Sequence, residues 1–259
     1  MSAAGNGTED HGAKPPSPGR EAPRPLPRRF YREAGFQRAP DGFVLALDGR
    51  PARTPGKSPL ALPNEQLAAA VAAEWTAQGD VIDPQTMPLT RMCNTAIDGV
   101  APNIAEVAQD IVAFAGSDLV CYRAEQPEGL VDRQAEAWNA ILVWAEQRLD
   151  ARFVVGRGIM PIVQPGEALS SVARHLADAD AFRLTGLHVM TTLTGSALIA
   201  LATADGAIDA ATAWKTAHVD EDWQISQWGE DAEAMERREG RWQDMQAASR
   251  LVFLAKQQR

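Results

Sequence analysis

Any chemistry done by this 259-residue chain must rest on few groups, because it holds four histidines and two cysteines. His11 lies in a Pro- and Gly-rich N-terminal stretch, away from any hydrophobic pattern. His188 falls within the apolar run Leu184 to Ala204, where a core imidazole satisfied by its neighbours is the expected role. His218 stands two and three positions ahead of Asp220 and Glu221. Metal ligands must converge, and those offsets spread the three side chains over different faces of one helix, so no metal site is expected. Cys93 and Cys121 form no Cys-x-x-Cys pair and have no histidine near them in sequence, which reads as two buried, inert thiols. The sequence has no P-loop, no Gly-x-Gly-x-x-Gly after a strand, no Gly-x-Ser-x-Gly elbow and no His-Glu-x-x-His. The expectation is a protein without catalytic residues or cofactor. The alternative is a small-molecule enzyme of an unrecognised class using His188 or His218 with nearby carboxylates.

Seven tryptophans are less ordinary. Trp223 and Trp228 are five apart and cannot both lie on one narrow helix face. They stand beside the acidic runs Asp220-Glu221-Asp222 and Glu230-Asp231. An exposed tryptophan rimmed by charge is a common protein-binding anchor, so this stretch is the candidate contact region.

The elements that must position these residues follow from pattern. With 25 Lys and Arg against 34 Asp and Glu, the formal net charge is −9, which argues against a nucleic-acid partner. Residues 1–27 carry many prolines and little aliphatic content and read as a disordered tail. Glu9, Asp10 and Glu21 are atypical of a transit peptide, and no apolar signal segment precedes them, so a reduced, bacterial cytoplasmic setting is expected. Short strands are predicted around Phe30 to Phe36, Phe43 to Leu47 and Arg50 to Thr54, with Asp48-Gly49 as the hairpin turn and a brief strand at Leu60 to Leu62. Asn64 can cap a helix carrying Leu67, Val71 and Trp75 over the sheet.

From Pro84 on, the pattern is helical. It predicts two short helices ending at Gly99 and Gly116, a longer one from Pro127 to Leu149, and another through Leu169 and Leu176. Leu184 to Ala204 reads as one central buried helix, with Gly186 and Gly195 admitting close neighbours. Its hydroxyls and His188 argue against membrane insertion. Asp209 to Trp228 reads as a single helix closed by Gly229, and a last helix spans Asp231 to Leu254. The fold class expected is α+β. A β-rich domain with a covering helix (28–83) precedes a larger, orthogonal all-helical bundle (84–259), and the absence of a heptad seam predicts a monomer.

Between Arg50 and Gly229 the chain resembles the chaperones that assemble the soluble F(1) sector of mitochondrial and α-proteobacterial ATP synthase. The resemblance is carried by Ala70-Val71-Ala72-Ala73-Glu74-Trp75, by Thr86-Met87-Pro88-Leu89-Thr90 with Cys93-Asn94-Thr95, and by Val120-Cys121-Tyr122-Arg123 with Glu128. It continues through Trp138 and Trp144-Ala145-Glu146 to Glu221-Asp222-Trp223-Gln224-Ile225 and Trp228-Gly229. It implies two domains, no catalysis, and binding of the unassembled ATP synthase α subunit until the β subunit replaces it. Glu221, Trp223, Trp228 and Glu230 are on this reading the partner-binding residues. The chain departs from the eukaryotic members at Glu230 to Met235, which lack their aromatic and His-Asp stretch.

Overall fold

The computed structural model describes residues 25–256, apart from 41 and 159. Nearly all of the expected tail, and His11 with it, lies outside the described residues. The first elements are strands β1 (Ala34–Ala39), β2 (Gly42–Leu47), β3 (Arg50–Pro51) and β4 (Ala61–Leu62). β2 pairs antiparallel with β1 along its length, Ala34 opposite Leu47 and Ala39 opposite Gly42. Its other edge is shared between β3, through Ala46 and Leu47, and β4, through Phe43 and Val44. Asp48 (φ 47°) and Gly49 (φ 74°) make the two-residue turn that joins β2 to β3, the left-handed pair that matches strand twist. The Asp48 carboxylate also accepts from the amides of Glu33 and Arg32, which hold its pKa below the ordinary value.

α1 (Glu65–Thr76) covers the sheet and is capped by Asn64, whose Oδ1 accepts from the Leu67 amide at 2.9 Å. Glu74, in the last turn of α1, caps a different helix. Its carboxylate accepts from the amides of Leu89 and Thr90 and from the Thr90 hydroxyl, all within 2.8 Å. Those orphan donors open α2 (Pro88–Thr95), which begins with proline and whose own N-cap, Met87, offers no side-chain acceptor. This contact gives the Glu74 and Leu89-Thr90 parts of the sequence pattern a shared physical role.

A π turn (Ala96–Val100) and a 3-10 turn (Ala101–Asn103) carry α2 almost without interruption into α3 (Ile104–Gly116). Asp98, on the π turn, reaches back to the sheet: it accepts from the Thr54 hydroxyl at 2.6 Å and the Gly56 amide at 2.7 Å. β5 (Tyr122–Arg123), α4 (Glu128–Leu149), β6 (Gly156–Arg157) and α5 (Gly166–Leu176) follow, with β5 and β6 forming a small parallel pair.

The expected single helix over Leu184 to Ala204 is two helices, α6 (Ala181–Thr194) and α7 (Ala197–Asp205). Gly195 adopts φ 67°, so it ends α6 as a left-handed cap and does not serve as a packing notch. Ser196 then caps α7, its Oγ accepting from the Ile199 amide at 3.0 Å. Gly186 does act as the notch: a Cβ there would stand 2.5 Å from Val252 Cγ2. α8 (Ala210–Ala217), α9 (Val219–Trp228) and α10 (Ala232–Ala255) complete the bundle. The expected helix from Asp209 to Trp228 bends at His218, where φ is −107° and ψ is 24°. α10 packs chiefly on α6, and its Leu254 carbonyl accepts from Asn64 Nδ2 at 2.7 Å, joining the last helix to the first.

Asp118 is a wholly buried carboxylate. It accepts from the Val120 amide at 3.2 Å and from the Leu198 amide at 3.0 Å, and so holds the N-terminus of α7. Burial pushes its pKa up to about 6, against the opposing hydrogen bonds from Ser196, Leu198 and Val120. The folded state therefore binds this proton more tightly than the unfolded chain, whose ordinary value is 3.8. Stability falls as pH rises between those two values and stays low above them. Wild type is expected to gain about 1 kcal/mol between pH 7 and pH 5 that Asp118→Asn does not. Urea denaturation of both proteins at the two pH values checks this, and parallel pH profiles would refute it.

Candidate contact surface around helix α9

α9 is built unlike its neighbours. None of its ten residues is buried, although its first turn carries Asp220, Glu221 and Asp222, which suit the positive end of a helix. It is held down by side chains at a few points. Gln134 of α4 donates to Asp220 at 2.7 Å, and the Arg133 guanidinium lies 4.8 Å from the centre of the Trp223 ring. Gly129 makes room for that ring, since a Cβ there would sit 2.9 Å from Trp223 Cη2. Arg238 of α10 pairs with Asp222.

His218, at the bend before α9, is only 3 % exposed. Its Nδ1 lies 2.7 Å from the Trp214 carbonyl, which fixes the proton on that nitrogen, and its ring stacks on the Trp214 indole at 3.8 Å. Nε2 is left facing Glu221 at 3.9 Å. Burial lowers the His218 pKa, against the Trp214 carbonyl and Glu221, which favours the neutral imidazole packed at the bend. His188 is half-buried on α6. Both cysteines are buried free thiols, and burial raises the pKa of each, that of Cys121 to about 12. Among the described residues no three His, Cys, Asp or Glu side chains are grouped to hold a metal.

The structure places the four residues singled out by sequence together, on and just after α9. Trp228 is 80 % exposed at its last turn, and Gly229 (φ 86°) turns the chain away immediately after it. Trp223 is half-buried beneath Arg133. Glu230 is exposed. Glu221 is exposed but not isolated, since Arg241 of α10 stands 3.9 Å from it. The arginines of α10 were not anticipated. Arg237, Arg238 and Arg241 recur on one face of a helix at offsets of one and four, and that spacing opposite an acidic turn was the available signal.

Trp228 separates two grooves. One, of about 470 Å³, runs between α9 and α10 past Ile225, Met235 and the three arginines. The other, of about 600 Å³, runs between α9 and the segment 122–127 and includes Tyr122, Glu125 and Asp220. A larger hollow of about 1150 Å³ lies elsewhere, between the end of α4 and the start of α5. It is lined by Glu146, Asp150, Arg152, Glu167 and Arg174 and by neither His188 nor His218. Arg152 and Glu146 within it already pair with each other.

A family model described as ATP12 chaperone protein matches residues 28–146. The crystal structure of Atp12 from Paracoccus denitrificans is 42% identical in sequence, with a TM-score of 0.85 over 89% of this chain and 99% of that one. The chain belongs to the ATP12 chaperone family. A point mutant of the P. denitrificans Atp12p superposes equally well, at 41% identity, a TM-score of 0.85 and coverage of 89% and 98%. The Atu1473 protein of Agrobacterium tumefaciens is 46% identical, with a TM-score of 0.86 over 89% of this chain and 87% of that one. The ATP12 match of residues 28–146 spans the sheet and most of α4, so it contains Glu74 and its cap on α2. α9, with the exposed tryptophan, lies beyond the residues matched by the ATP12 model.

Proposed function

We propose that this ATP12-family chain is an assembly chaperone for the ATP synthase F(1) sector. On this reading it binds the unassembled α subunit and covers its intersubunit surface until the β subunit takes over, with no bond made or broken. It works as a monomer in the bacterial cytoplasm. A subunit awaiting its neighbour exposes apolar surface that aggregates, and shielding such a surface calls for a complementary face. The observation that carries the reading is Trp228, 80 % exposed at the end of a helix with no buried residue. A large rigid aromatic left in water, backed by a rim of paired charges, is the usual anatomy of a binding anchor. Trp223 and Glu230 extend that surface, and Glu221 adds an acidic side chain able to exchange Arg241 for a basic group on the partner. No described helix is long and apolar enough to cross a membrane.

Coexpression with tagged α subunit, reading soluble α and coelution, tests the proposal. Wild type is expected to keep α soluble and coelute with it. Trp228→Ala is expected to weaken capture about 30-fold, in line with loss of a central aromatic anchor, and Glu221→Ala less. Equal capture by Trp228→Ala would remove α9 from the interface, and absence of coelution by wild type at every salt concentration would remove the partner.

A further inference from the structure

The groove between α9 and the segment 122–127 does not stop at Trp228. Gly158 lines it as well, and Gly158 belongs to the connector between α4 and α5. The Glu125 carboxylate rests against that glycine: at Gly158 (φ 72°) a Cβ would stand 3.0 Å from Glu125 Oε1. The connector itself is anchored on its inner side, where Ile162 packs over Gly156 and its amide lies 3.4 Å from the Tyr122 hydroxyl. Arg157 and Pro161 are exposed on it, together with several apolar side chains. Val163 is 90 % exposed, Met160 73 %, and Val154 and Val155 nearly half. Four exposed aliphatic residues within ten positions exceed the scatter of single apolar side chains expected on a monomer.

The groove has a charge polarity of its own. Glu125 and Asp220 line it, and neither belongs to an ion pair among the described residues. Arg123 also lines the groove, but its guanidinium is turned into α4, donating to the Gln134 carbonyl at 2.7 Å and to Asn139 at 3.1 Å. The groove therefore has a carboxylate outside any ion pair on each wall, Asp220 on α9 and Glu125 against Gly158, and the connector beyond Gly158 adds exposed apolar side chains. Charge complementarity selects the occupant.

We infer that the docking face runs from Trp228 through this groove onto the 154–163 connector, and that it takes an α-subunit segment carrying a Lys or Arg beside a run of apolar residues. The basic side chain enters between Glu125 and Asp220, and the apolar run covers Met160 and Val163. This inference rests on the proposed capture of the α subunit at Trp228.

Binding of purified, tagged α subunit to immobilised full-length chain separates the two ideas. The pair Met160→Ser with Val163→Ser is expected to weaken binding about tenfold, as for loss of two exposed apolar contacts. The pair Glu125→Gln with Asp220→Asn, whose side-chain amide oxygen still accepts from Gln134, is expected to weaken it about fivefold. That pair should also abolish most of the loss of affinity that wild type shows between about 50 and about 500 mM salt. Phe253→Ser, an equally exposed apolar site on α10, is expected to bind as wild type. If both pairs bind as wild type while Trp228→Ala is weakened, the extended face is wrong and the Trp228 anchor stands. If Trp228→Ala also binds as wild type, both ideas fall.

Discussion

Trp138→Ala is expected to cost about 3 to 5 kcal/mol of folding stability, the range for removing a fully buried aromatic side chain. Trp138 has no exposed surface, and its indole N–H donates to the Thr216 carbonyl at 2.7 Å. That bond ties α4 to the last turn of α8, directly ahead of the His218 bend. The Arg123 guanidinium also lies 5.1 Å from the centre of the ring, so the same truncation exposes a desolvated cation. Trp138→Phe retains most of the buried area and should lose about 1 to 2 kcal/mol, for the hydrogen bond and the unfilled volume. The exposed Trp228→Ala should stay within about 0.5 kcal/mol of wild type. Urea denaturation of the three variants is the check. A loss below about 1 kcal/mol for Trp138→Ala would mean that α8 is not fixed through this residue.

Gly186→Leu should be nearly as damaging, at about 3 kcal/mol, because it forces apart the most extensively packed helix pair in the bundle. A Cβ at 186 would lie 2.5 Å from Val252 Cγ2 and 2.9 Å from the Ala248 carbonyl oxygen. The valine can shift, but the carbonyl belongs to the backbone of α10 and cannot move alone. Gly186→Ala should cost less, since helix propensity returns about 1 kcal/mol of the overpacking penalty. Combining Gly186→Ala with Val252→Ala should reveal favourable coupling of about 1 kcal/mol between the two sites. Thermal or urea unfolding of the cycle tests it, and strict additivity would show that α6 and α10 are not in contact there.

What could be read from sequence divides according to whether a local or a distant group decides the conformation. Asn64, Asp48-Gly49 and Gly229 act on their own neighbours, so α1, the hairpin turn and the end of α9 were all legible. Gly195 was not, because a glycine in an apolar run serves equally as a packing notch or a left-handed cap. Here the choice is set by Ser196 and by Asp118 from a distant segment. The bend at His218 depends on its ring competing for the Trp214 carbonyl, which periodicity cannot express. The strand expected from Phe30 starts only at Ala34, since Arg28 and Arg29 pair instead with the stretch after α1, at Val81 and Asp80.

The candidate contact region was legible in part. Five-residue spacing of two tryptophans on an acidic helix left open whether one faces water or both share a wide buried face, and in the structure Trp228 is exposed. The same spacing said nothing of Gly129, which lets Trp223 settle on α4, or of the arginines of α10 that neutralise the acidic turn. Both are tertiary facts. In the connector between α4 and α5, only packing shows that Ile162 turns inward while Met160 and Val163 do not.

The most direct test of temporary shielding is a displacement experiment. A preformed complex of the full chain with α subunit is challenged with purified β subunit and resolved by size-exclusion chromatography. The account predicts that α moves into an α–β assembly while the chain elutes free and chemically unchanged. A chain that remains at one-to-one stoichiometry in the α–β assembly, or an α subunit that never bound it, would contradict the account.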